Sequence, residues 1–354
     1  MLTYRIIENY IKEAMSDSAY ACSHWAGNGA IAKLEDKLCS LYGAKHALCV
    51  DSATNGLLYL ILASGLKQSE IMTTSLSFGG TVSGALSMGC SFSFADVDNS
   101  LNIDPESVRD LLQIRQKTKA IIAVDYAGNP HQMEAINAIC KEYSLLHFVD
   151  AAQSMGAIYP WDDVASHNDA MVVSFGGGKS VFSGGEGGAI ITNNTVLYER
   201  LLSTCQHAHR QERDLGIGCS HEFALNGRMH PIASILACEC FEAGLSAIQE
   251  KREIYLKALS VLSSFSSVSS ILDQQRSAFY HCPFIVKSSE LFETEFKESG
   301  LAADFYFTGD SVLDLPDQLV RANLWRRIKA TYCPRLDDIK NRIYYLHQKT
   351  LNHV

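Results

Sequence analysis

An α/β protein is predicted, with a mainly parallel sheet covered on both faces and a smaller α+β unit behind it. Three observations predict it. Strand-like and helix-like runs alternate from about residue 46 to residue 174. The connections between the apolar runs are long enough for right-handed crossovers. After Pro231 the texture changes to one long helical run followed by short mixed elements. A chain of 354 residues favours two domains, or one large domain with an appendage.

Ile6, Ile7, Tyr10 and Ile11 recur at helical spacing among Arg, Glu and Lys, so residues 1–15 are expected to form an amphipathic helix and not a signal peptide. Residues 46–50 (HALCV) read as a strand and 55–64 as a helix. A short strand near 70–73, a helix near 80–88 and a strand at 91–95 come next. Asp104-Pro105-Glu106 is a helix start: a capping Asp, Pro at the first position and an acid in the first turn. A strand at 119–124, a helix near 132–143 and strands at 145–149 and 170–174 complete the first unit. Residues 231–262 read as one helix, with Gly244 as a candidate break. A strand at 283–287, a helix near 289–299, a strand at 303–307 and a final helix near 337–350 come after it. The boundary is expected near residue 240, giving units 1–240 and 241–354. The Ser-rich stretch 260–270 is the nearest thing to a flexible join.

Composition narrows the function classes. The net charge is −9 with no basic block, a poor match to nucleic-acid binding, which needs Lys and Arg against phosphates. No stretch reads as long and apolar enough to span a bilayer. The eleven cysteines, from Cys22 to Cys333, form no C-x-x-C pair and read as small buried hydrophobes in a reducing cytoplasm. His207, His209 and His221, near Arg210 and Arg213, lack the acidic or Cys partners of a metal site and read as a polar loop near the mouth of the active site. Arg228 reads equally as a substrate-anion partner or as half of a structural ion pair. His230-Pro231 marks the turn into the long helix.

Ligands of open parallel sheets bind beyond the carboxyl ends of the strands, so the polar residues there are the candidates. Ser52-Ala53-Thr54-Asn55-Gly56 comes after the first strand. It is either a plain helix cap or a set of free amides able to hold a phosphate. Asp150 closes a strand and either caps the next helix or pairs with a protonated ring nitrogen. Lys179 lies in Ser174-Phe175-Gly176-Gly177-Gly178-Lys179, with a second glycine-rich run at 183–188. So many glycines let the backbone turn tightly and approach a ligand. Gly178-Lys179-Ser180 invites a P-loop reading, but that motif needs Gly at position 173, which is Val.

Taken together, these motifs resemble the DegT/StrS family of PLP-dependent (sugar) aminotransferases, which have the aspartate-aminotransferase fold (fold type I). The resemblance runs from about Gly27 to Arg252. It rests on residues 24–29 (His24-Trp25-Ala26-Gly27-Asn28-Gly29), Ser52-Ala53-Thr54, Ser77-Phe78, Asp96-Val97-Asp98 with Asn102 to Pro105, Asp150-Ala151-Ala152-Gln153, Ser174-Phe175 with Lys179, and Asn226-Gly227-Arg228-Met229. It implies a large domain with a mainly parallel seven-stranded sheet between helices and a small C-terminal α+β domain.

It also implies pyridoxal 5'-phosphate (PLP) as cofactor, linked as a Schiff base to Lys179. By the same resemblance Asp150 meets the ring nitrogen, Gln153 lies near the ring hydroxyl and Phe78 stacks on the ring. Ala53, Thr54 and Ser174 hold the phosphate, and Asn226 reaches the phosphate in the site of a partner subunit. A cytoplasmic homodimer is expected. It would move an amino group from glutamate or glutamine to a keto-sugar or other small carbonyl compound. Elimination, decarboxylation or condensation on the same cofactor, or a non-catalytic regulator on the same fold, stay open as alternatives. The family's sugar dehydratases carry His where this chain has Lys179. Departures from the family pattern are Ala53 for Gly, Asn55-Gly56 for a more apolar pair, three glycines before Lys179, a longer glycine loop after it, Gly227 for an aromatic residue and a short region after residue 300.

Overall fold

The structure, a computed structural model, describes residues 2–16, 25–216, 224–309 and 314–349. Cys22, His24 and His221 lie outside them. In chain order the elements are α1 (Leu2–Ser16), α2 (Ala30–Tyr42), β1 (His46–Val50), α3 (Ala53–Ala63), β2 (Glu70–Thr74), α4 (Gly80–Ser87), β3 (Ser91–Ala95), α5 (Pro105–Ile114), β4 (Thr118–Val124), α6 (Met133–Tyr143), β5 (Leu146–Asp150), β6 (Ala170–Ser174), β7 (Gly188–Thr192), α7 (Thr195–Cys205), α8 (Ala208–Leu215) and α9 (Pro231–Leu262). Then come β8 (Val268–Ile271), β9 (Cys282–Val286), α10 (Ser289–Glu298), β10 (Phe305–Thr308), α11 (Leu315–Arg321), β11 (Ile328–Thr331), α12 (Pro334–Ile339) and β12 (Ile343–Gln348).

The large sheet runs β1-β7-β6-β5-β4-β2-β3-β11. All neighbours are parallel except β7, which is antiparallel to both β1 and β6. The seven strands implied by the resemblance are β1 to β7. An eighth, β11, comes from the C-terminal part and closes the edge at β3. Side chains alternate along each strand. Leu48, Val50, Ile71, Phe92, Ile122, Phe148 and Val172 face a core covered by α3, α4 and α7. Ala47, Cys49, Val149, Met171 and Val173 face the opposite core with α2 and the first half of α9. Burial on both faces explains why these strands read as near-continuous apolar runs. A second, antiparallel sheet runs β10-β12-β9-β8 and packs on the second half of α9 through Tyr255, Leu259 and Leu262.

The start of α5 is built as its sequence indicates, with Asp104 Oδ1 accepting from Glu106 N at 3.0 Å and Pro105 leading the helix. Elsewhere the structure departs from expectation. Helix α9 is not broken at Gly244. A Cβ there would lie 2.5 Å from the Ser180 carbonyl oxygen, so the missing side chain lets α9 approach the loop after Lys179. By length and composition α9 is also apolar enough to cross a membrane, contrary to the sequence reading. Its apolar residues are instead shared between two cores. Residues 260–270 are not a free join: Ser266 and Ser267 donate from backbone and hydroxyl to the Glu295 carboxylate, and β8 begins at Val268. The expected helix 337–350 is the short α12 followed by β12, because Tyr344, Tyr345 and Leu346 pair with β9.

Candidate active site

Strand ends and one helix start converge. Asp150 ends β5 and Ser174 ends β6. Ser52 caps α3 just beyond β1, and the loop after β6 carries Lys179. They line a cleft of 380 Å³ that also takes in Thr54, Phe78, Gln153 and, from the far part of the chain, Tyr280 and His281. This is the carboxyl-end location expected of an open parallel sheet.

Lys179 sits on the tight turn that its glycines allow. Its N–H donates to the Gly176 carbonyl at 3.2 Å, and Gly178 adopts φ 82°, a region a side chain would strain. Its Nζ lies 3.9 Å from the centroid of the Tyr280 ring. Burial pushes the amine below the ordinary lysine range, and the negative charge of Asp150 partly offsets this. Part of the population is therefore the neutral, nucleophilic amine at lower pH than for an exposed lysine.

Asp150 is buried. Thr81 Oγ1 donates to its Oδ2 at 2.7 Å and Ala152 N to its Oδ1 at 3.2 Å. Burial pushes this carboxyl up, opposed by the Thr81 and Ala152 hydrogen bonds and by the charge of Lys179. A cationic group brought against Asp150 would relieve that desolvation. Thr81 is itself paired with Ser77 Oγ at 2.7 Å. Behind Asp150, the Asp125 carboxylate is fully enclosed. It accepts from His131 N at 2.9 Å, from Ser154 Oγ at 2.7 Å and from Tyr159 OH at 2.6 Å, and His131 Nδ1 is 2.6 Å from its Oδ1. Burial would raise that carboxyl, but His131 and Tyr159 outweigh it and hold it below the usual range. Asp125 N donates to the Asp150 carbonyl at 3.1 Å, so this network braces the end of β5.

The first-turn amides of α3, on Ala53 and Thr54, have no intrahelical acceptor and open on the cleft. Ser174 Oγ accepts from Gly176 N at 3.2 Å, which leaves its hydroxyl hydrogen for a ligand. Gln153 Oε1 accepts from Ala127 N at 2.7 Å, which leaves its amide nitrogen as a donor. Phe78 is 63% exposed, a large ring with an uncovered face at the cleft. A Cβ on Gly80 would meet Thr54 Oγ1 at 2.7 Å and the Phe78 ring at 3.0 Å, so a side chain there would crowd the cradle. An amine, an enclosed acid, free amides beside a hydroxyl and an open aromatic face are the donor set PLP requires. The residues present therefore fit that cofactor.

Asn226 does not join this cleft. It is exposed, with Oδ1 accepting from Arg228 Nε at 2.9 Å, on a segment held to β1 by a bridge between Val50 and Arg228. Arg228 has no carboxylate partner among the described residues, and burial lowers its pKa. Gly227 has no side chain because Tyr59 fills the space: a Cβ would lie 2.3 Å from the Tyr59 hydroxyl. Residues 207–213, expected as a polar loop, are instead the cap and body of α8. His207 and His230 cap α8 and α9, accepting from His209 N and Ile232 N. Arg210 is 1% exposed and grips both oxygens of Glu35 at 2.9 and 2.8 Å.

Four cleft residues carry no signal in the sequence. Thr81 looks like an ordinary helix residue and Glu186 like part of a glycine loop. Tyr280 and His281 arrive from beyond α9, with no motif around them. Burial pushes His281 down to about 4, helped by His347, Lys251 and Lys179, so it is neutral near pH 7.

The fold is that of the type I PLP-dependent transferases, with its lysine and acid at the carboxyl ends of the large sheet. Residues 8–344 match the model of the DegT/DnrJ/EryC1/StrS aminotransferase family, and the chain belongs to that family. A UDP-4-amino-4,6-dideoxy-N-acetyl-beta-L-altrosamine transaminase of Helicobacter pylori is 32% identical over 225 residues, 63% of this chain and 59% of that protein. The chain thus spans less than two thirds of that relative. A transaminase of the same description from Campylobacter jejuni is 29% identical over 278 residues, 76% of this chain and 73% of that protein. Among solved structures, Helicobacter pylori PseC, an aminotransferase of pseudoaminic acid biosynthesis, superposes with a TM-score of 0.76 at 24% identity, covering 96% of this chain and 90% of that one. At that identity the likeness carries the fold.

Proposed function

We propose that this chain is a PLP-dependent aminotransferase that moves an amino group from glutamate or glutamine to the carbonyl of a keto-sugar in a biosynthetic pathway. The convergence of Lys179 and Asp150 in one cleft carries this reading. The named activity of the Helicobacter and Campylobacter relatives supports a UDP-linked keto-sugar as the acceptor to try first.

When bound, PLP supplies an electron-withdrawing ring that stabilises negative charge at a substrate carbon. Lys179 Nζ would hold the cofactor covalently, and its amine, once free, would be the group placed to move a proton at the donor Cα. Asp150 would keep the ring nitrogen protonated, the Ala53 and Thr54 amides with Ser174 would bind the phosphate, Phe78 would stack on the ring and Gln153 would donate toward the ring hydroxyl. Asn226, exposed and outside its own cleft, is the residue a cytoplasmic homodimer would bring to the partner's phosphate.

Residues 1–240 form the N-terminal segment and cofactor-binding domain in this reading, and 241–354 the small domain. The change of core along α9 supports a boundary within that helix, whereas Leu315, Leu319, Leu336 and β11 return to the large sheet and its core. Incubation with L-glutamate and a UDP-linked keto-sugar should release 2-oxoglutarate and form the amino-sugar in equal amounts. Consumption of the keto-sugar without an amino donor would redirect the reading to elimination.

A further inference from the structure

We infer that the opposite end of the large sheet carries a second ligand site, for a small anion with two or more phosphate groups. A 570 Å³ pocket opens there, at the amino ends of β2, β3, β4 and β11. Lys117, Lys119, Arg326, Arg327 and Lys329 converge on it from two separate stretches of chain. The acid in its wall, Glu70, is already neutralised: Arg115 Nε holds its Oε1 at 2.6 Å and Arg115 Nη2 holds its Oε2. None of the five converging cations has a carboxylate partner among the described residues.

This concentration of charge is out of keeping with the chain as a whole, which has 30 Lys and Arg against 39 Asp and Glu. Like charges collected in a concavity repel one another, and the same concavity focuses their field on an incoming anion. The wall is also built in place. Arg327 Nη1 donates to the Gly89 carbonyl at 2.5 Å, and the Arg326 guanidinium lies 5.2 Å from the centroid of the Trp325 ring. Planar guanidiniums beside lysine ammoniums suit phosphate oxygens, the arginines by bidentate bonds and the lysines as point charges. The pocket volume lies within the usual small-ligand range, roughly 300–1,000 Å³. The active-site cleft opens at the carboxyl ends of the strands, so both sites can be filled together.

The test uses the full chain saturated with PLP, so that the active-site phosphate cradle is already occupied. Titration calorimetry at low salt with inorganic triphosphate should give one site per chain, weakening as salt rises. The variant Lys117→Gln/Lys119→Gln/Lys329→Gln, whose changes lie on exposed side chains, should bind at least about tenfold more weakly and keep the wild-type PLP absorbance and circular dichroism. In a second arm, ATP binding more tightly than triphosphate assigns the site to a nucleotide. Equal affinity assigns it to the phosphate chain alone. No binding of triphosphate, or equal binding by wild type and variant, would overturn the inference.

Discussion

Lys179 Nζ lies 3.9 Å from the centroid of Tyr280, a residue more than a hundred positions away that arrives from beyond α9. The contact brings the C-terminal part of the chain onto the reactive amine. An aromatic face attracts the cationic lysine and offers little to a neutral one. Tyr280→Leu should therefore lower the Lys179 pKa, shifting the pH dependence of covalent PLP capture to lower pH. An unchanged profile would show that the contact does not influence the amine.

Asp150→Asn keeps the shape of the acid and removes its charge. Since that charge raises the Lys179 pKa against burial, its loss should also move PLP capture to lower pH. Turnover should fall by about two to three orders of magnitude, as when preorganised electrostatic partners are removed elsewhere. Absorbance-monitored capture across pH and steady-state rates separate the two effects.

Thr81→Val removes the hydroxyl that donates to Asp150 at 2.7 Å. A hydrogen bond to a charged group contributes about 1.5–3 kcal/mol. That bond lowers the Asp150 pKa, so its loss raises it, and ionised Asp150 is then present only at higher pH. The acid limb of the pH–rate profile should move up by about one unit or more, while Thr81→Ser should restore it.

Gly244→Ala places a methyl 2.5 Å from the Ser180 carbonyl, against backbone that has little room to move. The expected cost is about 1–3 kcal/mol in denaturant unfolding. PLP affinity should fall as well, because the displaced loop carries Lys179.

Glu35→Gln takes the charge from one of two carboxylates on the almost fully enclosed Arg210, which keeps Asp214 Oδ2 at 3.2 Å. Losing that charge-assisted contact while Asp214 remains should destabilise the fold by about 1.5–3 kcal/mol, read as a lower denaturant midpoint. The active-site absorbance of the folded protein should change little.

Much of the site is legible in the sequence because its residues stand at strand ends, where local patterns carry the signal. Val50, Asp150 and Ser174 close strands that are apolar on both faces, and the glycines around Lys179 punctuate the loop. Strand β7 is hidden because Gly188–Thr192 is a short apolar run inside a glycine-rich stretch. Helix α8 reads as a loop because what docks it is an ion pair to Glu35, which lies 175 positions away. The region of β12 misleads because apolar residues 336, 339, 343 and 346 fit helical spacing, whereas pairing with β9 decides for a strand. Tyr280 and His281 reach the cleft because Ala278 N and His281 N donate to the Gly128 and Ala127 carbonyls at 2.8 and 3.1 Å, and no local pattern announces that.

PLP chemistry at Lys179 is best tested by the absorption spectrum of the protein after incubation with the cofactor, recorded before and after addition of L-glutamate or L-glutamine. A visible band is expected in the wild type, absent in Lys179→Ala and converted by the donor to the amino form of the cofactor. No band in the wild type, or an equal band in Lys179→Ala, would contradict a Schiff-base role for this lysine.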